Sequence, residues 1–234
     1  MRNRSEWKAT AALACFLALF AGVLISVLLE ELVLSSMRID HSDLAFPIAL
    51  ISSPTNETII LGVTLWFTRH KGAGLSGLGL RKPGPKILAI ASVLALPLYL
   101  LGSGISICIE TGLGPDPGAE FAKMYLLPRD PFQLTAMVIL SLVLVGPCEE
   151  LAFRGFIQRG LENSFGKLKG LLIASVLFAI PHGLLSPRAI VPTFVGGLAL
   201  GYVWQRTNGN TTASALMHGI NNSVSMLLAY LAMA

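Results

Sequence analysis

The chain has 234 residues, of which 53% are hydrophobic and only 13% are charged, and its mean hydropathy is +0.69. Soluble domains carry roughly a quarter charged residues, so this composition excludes an ordinary soluble domain and predicts an all-α polytopic protein in a lipid bilayer. The formal charge of +4 comes from basic residues scattered in short loops, which does not indicate nucleic-acid binding. We expect a single transmembrane domain over residues 1–234 with free cysteines.

Seven apolar stretches predict a bundle of about seven transmembrane helices. They cover about 10–29, 44–67, 87–107, 132–162, 167–184, 188–205 and 211–233. The first is too long for the core of a signal sequence and lacks a small-x-small cleavage pattern, so we interpret it as a retained span. The second carries Pro54 and Glu57 at its middle and is either a crossing helix or a broken, interfacial one.

Lysines and arginines segregate across this scheme. One side holds thirteen of them, namely Arg2, Arg4, Lys8, Arg69, Lys71, Arg81, Lys82, Lys86, Arg154, Arg159, Lys167, Lys169 and Arg206; the other holds four, namely Arg38, Lys123, Arg129 and Arg188. Cytoplasmic loops are enriched in lysine and arginine, so this distribution predicts a cytoplasmic N-terminus. The short loops favour the plasma membrane of a prokaryote.

The segment GPCEELAFRG, residues 146–155, places charges inside the fourth predicted span. Ionisable groups inside a span are costly and usually face a partner in the bundle interior, so they are candidate functional residues. Glu150 and Arg154 have the spacing of a helical ion pair, whereas Glu149 is rotated by ~100° and lacks that partner. We therefore predict a structural Glu150 and an available Glu149, because a desolvated carboxylate suits a general base. Cys148 is expected to be a core residue.

Two further polar clusters lie on the fifth and seventh predicted spans. FAIPHG places Phe178 and His182 four residues apart, and HGINN does the same for His218 and Asn222. Taken singly, each histidine is equally well explained as a structural core residue, and Phe178 as packing. Together with a carboxylate, the two imidazoles and the carboxamide are sufficient to hydrolyse an amide. We expect an active site buried between the fourth, fifth and seventh spans. GGLALG, residues 196–201, predicts a close helix contact.

These residues resemble the motifs of a family of intramembrane proteases, the CAAX prenyl protease and bacteriocin-processing family (CPBP, or Abi). The pattern E-E-x-x-x-R occurs as Glu149, Glu150 and Arg154, F-x-x-x-H as Phe178 and His182, and H-x-x-x-N as His218 and Asn222. The order and rough spacing of the motifs also match. The resemblance covers about residues 132–233, which we expect to form the core that carries the motifs.

The resemblance implies an endopeptidase that cleaves a membrane-associated or C-terminally anchored peptide or protein. Glu149 and His182 would activate the attacking water. His218 and Asn222 would stabilise the oxyanion, and Glu150 with Arg154 would hold the site together, with Phe178 supporting the histidine one turn later.

The sequence leaves several alternatives open. A mechanism without metal is favoured, but Glu149, His182 and His218 would be the ligands if zinc is bound. A non-catalytic membrane scaffold or bacteriocin-immunity factor on the same fold is a second class of function. A proton- or metal-coupled transporter is a third, although no inverted repeat supports it. The substrate, its cleavage site and any need for a prenyl group are not indicated by the sequence.

Overall fold

The computed structural model describes residues 7–38, 41–120, 127–184 and 186–233, without the side chains of 41–44. The fold is 86% helical and contains no strand in these ranges, which confirms the predicted all-α class. Arg2, Arg4 and Lys123, which entered the orientation argument, lie outside the described residues.

Seven long helices run through the described ranges, one for each apolar stretch. They are α1 (Ala9–Ser36), α2 (His41–His70), α3 (Pro85–Leu113), α4 (Pro131–Phe165), α5 (Lys167–His182), α6 (Ile190–Arg206) and α7 (Thr211–Met233). Four of these, α1 to α4, are long and apolar enough to cross a membrane. At 16 and 17 residues, α5 and α6 are shorter than the ~20 residues of a typical crossing, and α7 is more polar. The molecule is therefore a multi-pass membrane protein, while seven crossings and a cytoplasmic N-terminus stay predictions.

The second apolar stretch forms one helix without a break. α2 continues through Pro47 and Pro54. The Ser52 hydroxyl donates to the Glu30 carboxylate at 2.5 Å and ties α2 to α1. The alternative of a broken helix is therefore not observed, and Glu57 lies inside the bundle with 5% of its surface exposed.

The backbone of α4 alternates between two helix types. It is α-helical over Pro131–Leu140, Gly146–Glu150 and Arg159–Phe165, and π-helical over Ser141–Val145 and Leu151–Gln158. A π-turn is wider than an α-turn because each hydrogen bond spans five residues, and such turns are frequent at functional sites. The two adjacent glutamates therefore lie in a short α-helical stretch between two widened segments.

Glycines allow α4 and α7 to approach closely. A Cβ atom on Gly146 would lie 2.7 Å from the carbonyl oxygen of Ala215, and one on Gly219 would lie 2.8 Å from that of Ser141. These distances are too short for any larger residue without displacing backbone. The contact brings the middle of α4 against the first half of α7.

The glycine-rich segment of α6 packs on α5 and α4, as GGLALG predicted. A Cβ atom on Gly197 would lie 3.1 Å from Ser175 of α5. The buried carbonyls of Gly197 and Gly201 accept hydrogen bonds from Arg154 at 3.2 Å and from Gln158 at 3.3 Å. Arg154 is thus buried in the bundle, and its inclusion among the cytoplasmic loop charges was wrong.

The connection between α2 and α3 is fastened to the bundle. It contains a 3₁₀ turn at Leu75–Leu78. Thr211 at the start of α7 donates its backbone N–H to the Gly79 carbonyl at 3.0 Å and its hydroxyl to the Leu78 carbonyl at 2.5 Å. Gly155 of α4 lies against the same turn, where a Cβ atom would be 2.7 Å from the Leu78 carbonyl oxygen.

The segment after α3 is joined to the connection between α5 and α6. The Ser186 hydroxyl donates to the Asp116 carboxylate at 2.6 Å. Arg188 donates to the carbonyls of Leu113, at 3.0 Å, and Gly114. The hydrogen bond from Ser186 lowers the pKa of Asp116 below its ordinary value of 3.8. This link lies immediately beyond the end of α5, where His182 is located.

Candidate active site

Glu150 lies at the centre of a buried charged cluster. Its Oε2 is 3.1 Å from Nε of Arg154, and its Oε1 is 3.2 Å from Nδ1 of His218. The Glu150 and Arg154 residues are 0% and 1% exposed, respectively. The predicted i to i+4 ion pair is therefore confirmed. Glu150 also bonds to His218 and thereby joins α4 to α7. The spacing of the motifs did not reveal this contact.

Phe178 connects the charged cluster to both histidines. Its ring lies 4.4 Å from Cζ of Arg154, a cation–π contact. The ring centroid is 5.1 Å from that of His182 and 5.8 Å from that of His218. Phe178 is itself buried, so it packs against the face of the guanidinium while separating the two imidazoles.

The hydrogen bond of His218 determines how its ring can act. A carboxylate only accepts hydrogen bonds, so Nδ1 facing Glu150 must carry the proton. The remaining nitrogen, Nε2, is an acceptor in the neutral ring and a donor when the ring carries both protons. This division fixes the orientation of the imidazole, as a carboxylate partner does for histidines in many active sites.

Asn222 is oriented by its neighbour. Asn221 donates its side-chain N–H to Oδ1 of Asn222 at 3.3 Å. The amide N–H groups of Asn222 thus remain available to donate to another group. Both asparagines are half-buried. Asn221 is not one of the motif residues named above.

His182 differs from the expectation of a fully buried site. It is exposed, because it occupies the last turn of α5. Its Nδ1 lies 3.0 Å from the carbonyl oxygen of Phe178, so Nδ1 carries the proton and the neutral ring has a basic Nε2. The site is therefore buried around Glu150 and open at His182.

Glu149 has the opposite surroundings from Glu150. It is half-buried, and its Oε2 is shielded from solvent with no hydrogen-bond partner in the described ranges. It interacts electrostatically with Arg154 and His218. The two adjacent carboxylates thus differ as the rotation along the helix indicated, since Glu150 forms an ion pair with Arg154 and bonds to His218, whereas Glu149 has an Oε2 without a hydrogen-bond partner.

Sequence reasoning missed Glu57 as a member of this site. It reaches the site from α2, which packs against the α4 segment that carries the two glutamates. It interacts electrostatically with Glu149 and with Cys148, which is buried as expected. A carboxylate in the middle of an apolar span was the available signal, but we used it only to judge the helix. The site therefore lies between α2, α4, α5 and α7.

The described residues do not fit the alternative of a bound zinc ion. They contain no group of three or more histidine, cysteine, aspartate or glutamate side chains placed to hold a metal. His218 directs Nδ1 to Glu150 and His182 directs Nδ1 to its own helix, bonds that leave each Nε2 free, so the misfit lies in the spacing of the three suggested ligands and not in these bonds. No step in the mechanism below is assigned to a metal.

The fold and the site define a helical multi-pass membrane protein with a glutamate, histidine and arginine cluster between its helices. Residues 131–224 match a family model described as type II CAAX prenyl endopeptidase Rce1-like. The match begins at the first residue of α4 and contains all three motifs. It confirms the resemblance inferred from the motifs and assigns this segment to the CAAX protease family. No curated protein and no solved structure matches the chain.

Proposed function

We propose that the protein is an intramembrane endopeptidase that hydrolyses a peptide bond of a membrane-associated or C-terminally anchored substrate. The family match supports a membrane endopeptidase of the CAAX protease type. The observation that carries the proposal is the contrast between Glu150, which has ion-pair contacts to Arg154 and His218, and the neighbouring Glu149, whose Oε2 is shielded from solvent and has no hydrogen-bond partner in the described ranges.

In the proposed mechanism, Glu149 removes a proton from water with assistance from His182. The water oxygen bonds to the substrate carbonyl carbon, and the electron pair of the C=O bond moves onto the carbonyl oxygen. Glu149 then returns the proton to the amide nitrogen as the C–N bond breaks. General acid–base catalysis of this kind contributes roughly 10²–10⁴-fold to the rate.

His218 and Asn222 are the proposed donors to the oxyanion. The free amide of Asn222 can donate directly. His218 can donate through Nε2 when its ring carries both protons, in which state it forms an ion pair with Glu150. Removing one oxyanion donor typically costs about 10²–10³ in kcat. Glu150, Arg154 and Phe178 act indirectly in this scheme, because they hold the imidazole of His218 in place.

The test compares peptide termini in membranes of host cells that express the wild type, Glu149→Gln or Glu110→Gln. Glu110 is an exposed glutamate on α3 and serves as the matched control. Termini that appear with the wild type and Glu110→Gln but not with Glu149→Gln would establish proteolysis and identify the substrate. Identical termini in all three, together with a phenotype on deletion, would favour a scaffold or immunity factor. We further propose the plasma membrane of a prokaryote as the location.

A further inference from the structure

Glu57 is the buried acidic group on α2 that the proposed mechanism does not use. It lies one turn beyond Pro54, at the depth of the α4 glutamates, and is 5% exposed. Its Oε2 is shielded from solvent and has no hydrogen-bond partner in the described part of the chain. An acid buried without a partner destabilises the fold, so a packing role does not explain it.

Glu57 and Glu149 lie on two helix segments, of α2 and α4, that pack against each other. Their carboxyl groups are close enough to interact electrostatically, and both interact with the thiol of Cys148. Each of the two carboxyl groups has an Oε2 atom without a partner. A bound water molecule can satisfy two neighbouring acceptor atoms that lack donors, because it can donate one hydrogen bond to each of them.

We propose that Glu57 is a further catalytic residue, which holds the attacking water together with Glu149. This inference rests on the proposed endopeptidase function. One hydrogen of the water bonds to Glu149, which takes that proton during attack, and the other bonds to Oε2 of Glu57. Glu57 neither gains nor loses a proton in this step. It orients the water molecule so that a lone pair of the water oxygen points away from both carboxyl groups.

The role requires an acceptor oxygen at position 57 and does not require a second charge. The carbonyl oxygen of a neutral carboxyl group accepts a hydrogen bond, and so does that of a carboxamide. Glutamine is therefore expected to replace Glu57, whereas leucine of similar size is not.

The experiment measures two quantities for Glu57→Leu and Glu57→Gln. One is the rate at which wild-type-dependent peptide termini appear in host membranes after induction, and the other is the Tm of the purified protein. Thr64→Val is the matched control, because Thr64 is buried on the same helix and its hydroxyl donates to the Ile60 carbonyl of that helix at 2.7 Å. Glu149→Gln provides the reference for lost catalysis.

We expect Glu57→Leu to slow cleavage by about 100-fold without lowering Tm, Glu57→Gln to slow it far less than Glu57→Leu does, and Thr64→Val to cleave at close to the wild-type rate. Cleavage by Glu57→Leu at the wild-type rate would overturn the proposal. A loss of cleavage accompanied by a lower Tm would also overturn it, because it would assign Glu57 a structural role. If the wild type and Glu149→Gln produce the same termini, the proposed function itself fails, which separates the two conclusions.

Discussion

Replacing Glu150 by alanine should strongly destabilise the protein, whereas the same change at Glu149 should not. In the wild type, Oε2 of Glu150 forms an ion pair with Nε of Arg154 at 3.1 Å, Oε1 accepts a hydrogen bond from His218 at 3.2 Å, and the residue is 0% exposed. Its removal would leave the Arg154 guanidinium with the Gly197 carbonyl, the Phe178 ring and the electrostatic attraction of Glu149. Breaking a buried ion pair from one side costs roughly 3–5 kcal/mol. For a chain of this size that corresponds to a fall in Tm of about 6–20 °C.

Thermal unfolding in detergent, followed by the fluorescence of the three tryptophans, measures this difference directly. Glu149→Ala is the matched control one residue away, and it should leave Tm unchanged or raise it because it removes a carboxylate with an unpartnered oxygen. A smaller fall in Tm for Glu150→Ala than for Glu149→Ala would refute the assignment. Two variants that both unfold within about 2 °C of the wild type would refute it as well.

Three further results are expected. Gly146→Ala should lower both Tm and the cleavage rate, because its Cβ would lie 2.7 Å from the Ala215 carbonyl oxygen. The control Gly196→Ala should behave like the wild type, because a Cβ atom there would have nothing within 4 Å. Equal Tm values for Gly146→Ala and Gly196→Ala would contradict this prediction. The contribution of Asp116 to stability is fully present above its ordinary pKa of 3.8 and is lost as pH falls through its lower folded pKa. Ser186→Ala should therefore lower Tm by more at pH 6 than at pH 3. A decrease in Tm that is the same at both pH values would disprove the stabilising hydrogen bond between Ser186 and Asp116. Cleavage should persist after exhaustive treatment with EDTA or phenanthroline, and activity restored only by added zinc would argue for a metal.

Hydropathy was sufficient to locate the helices. Each of the seven apolar stretches coincides with a long helix, because a run of apolar residues long enough to enter a bilayer is also long enough to satisfy its own backbone as a helix. The ion pair of Glu150 with Arg154 was predictable for a similar reason, since it depends only on spacing within one helix. Features that depend on local geometry were therefore accessible from the sequence.

Contacts between distant helices were not accessible in this way. The bond from His218 to Glu150 and the position of Glu57 beside Glu149 depend on how α7 and α2 pack against α4, which no spacing within a helix reports. The exposure of His182 depends on where α5 ends relative to its neighbours. The motifs thus supplied most of the candidate site residues but not their partners.

The π-helical segments of α4 limit how the length of this helix can vary. The widened stretch Leu151–Gln158 lies between Glu150 and the hydrogen bonds that Gln158 makes to Gly201 and Glu162. Deleting one residue from it would narrow the widened turns to ordinary α-helix and would shift everything beyond along and around the helix axis. Gln158 would then leave the surface of α6, and the turn into α5 would start in another direction. Homologous chains that keep both anchors should therefore tolerate substitutions in this stretch far more readily than insertions or deletions.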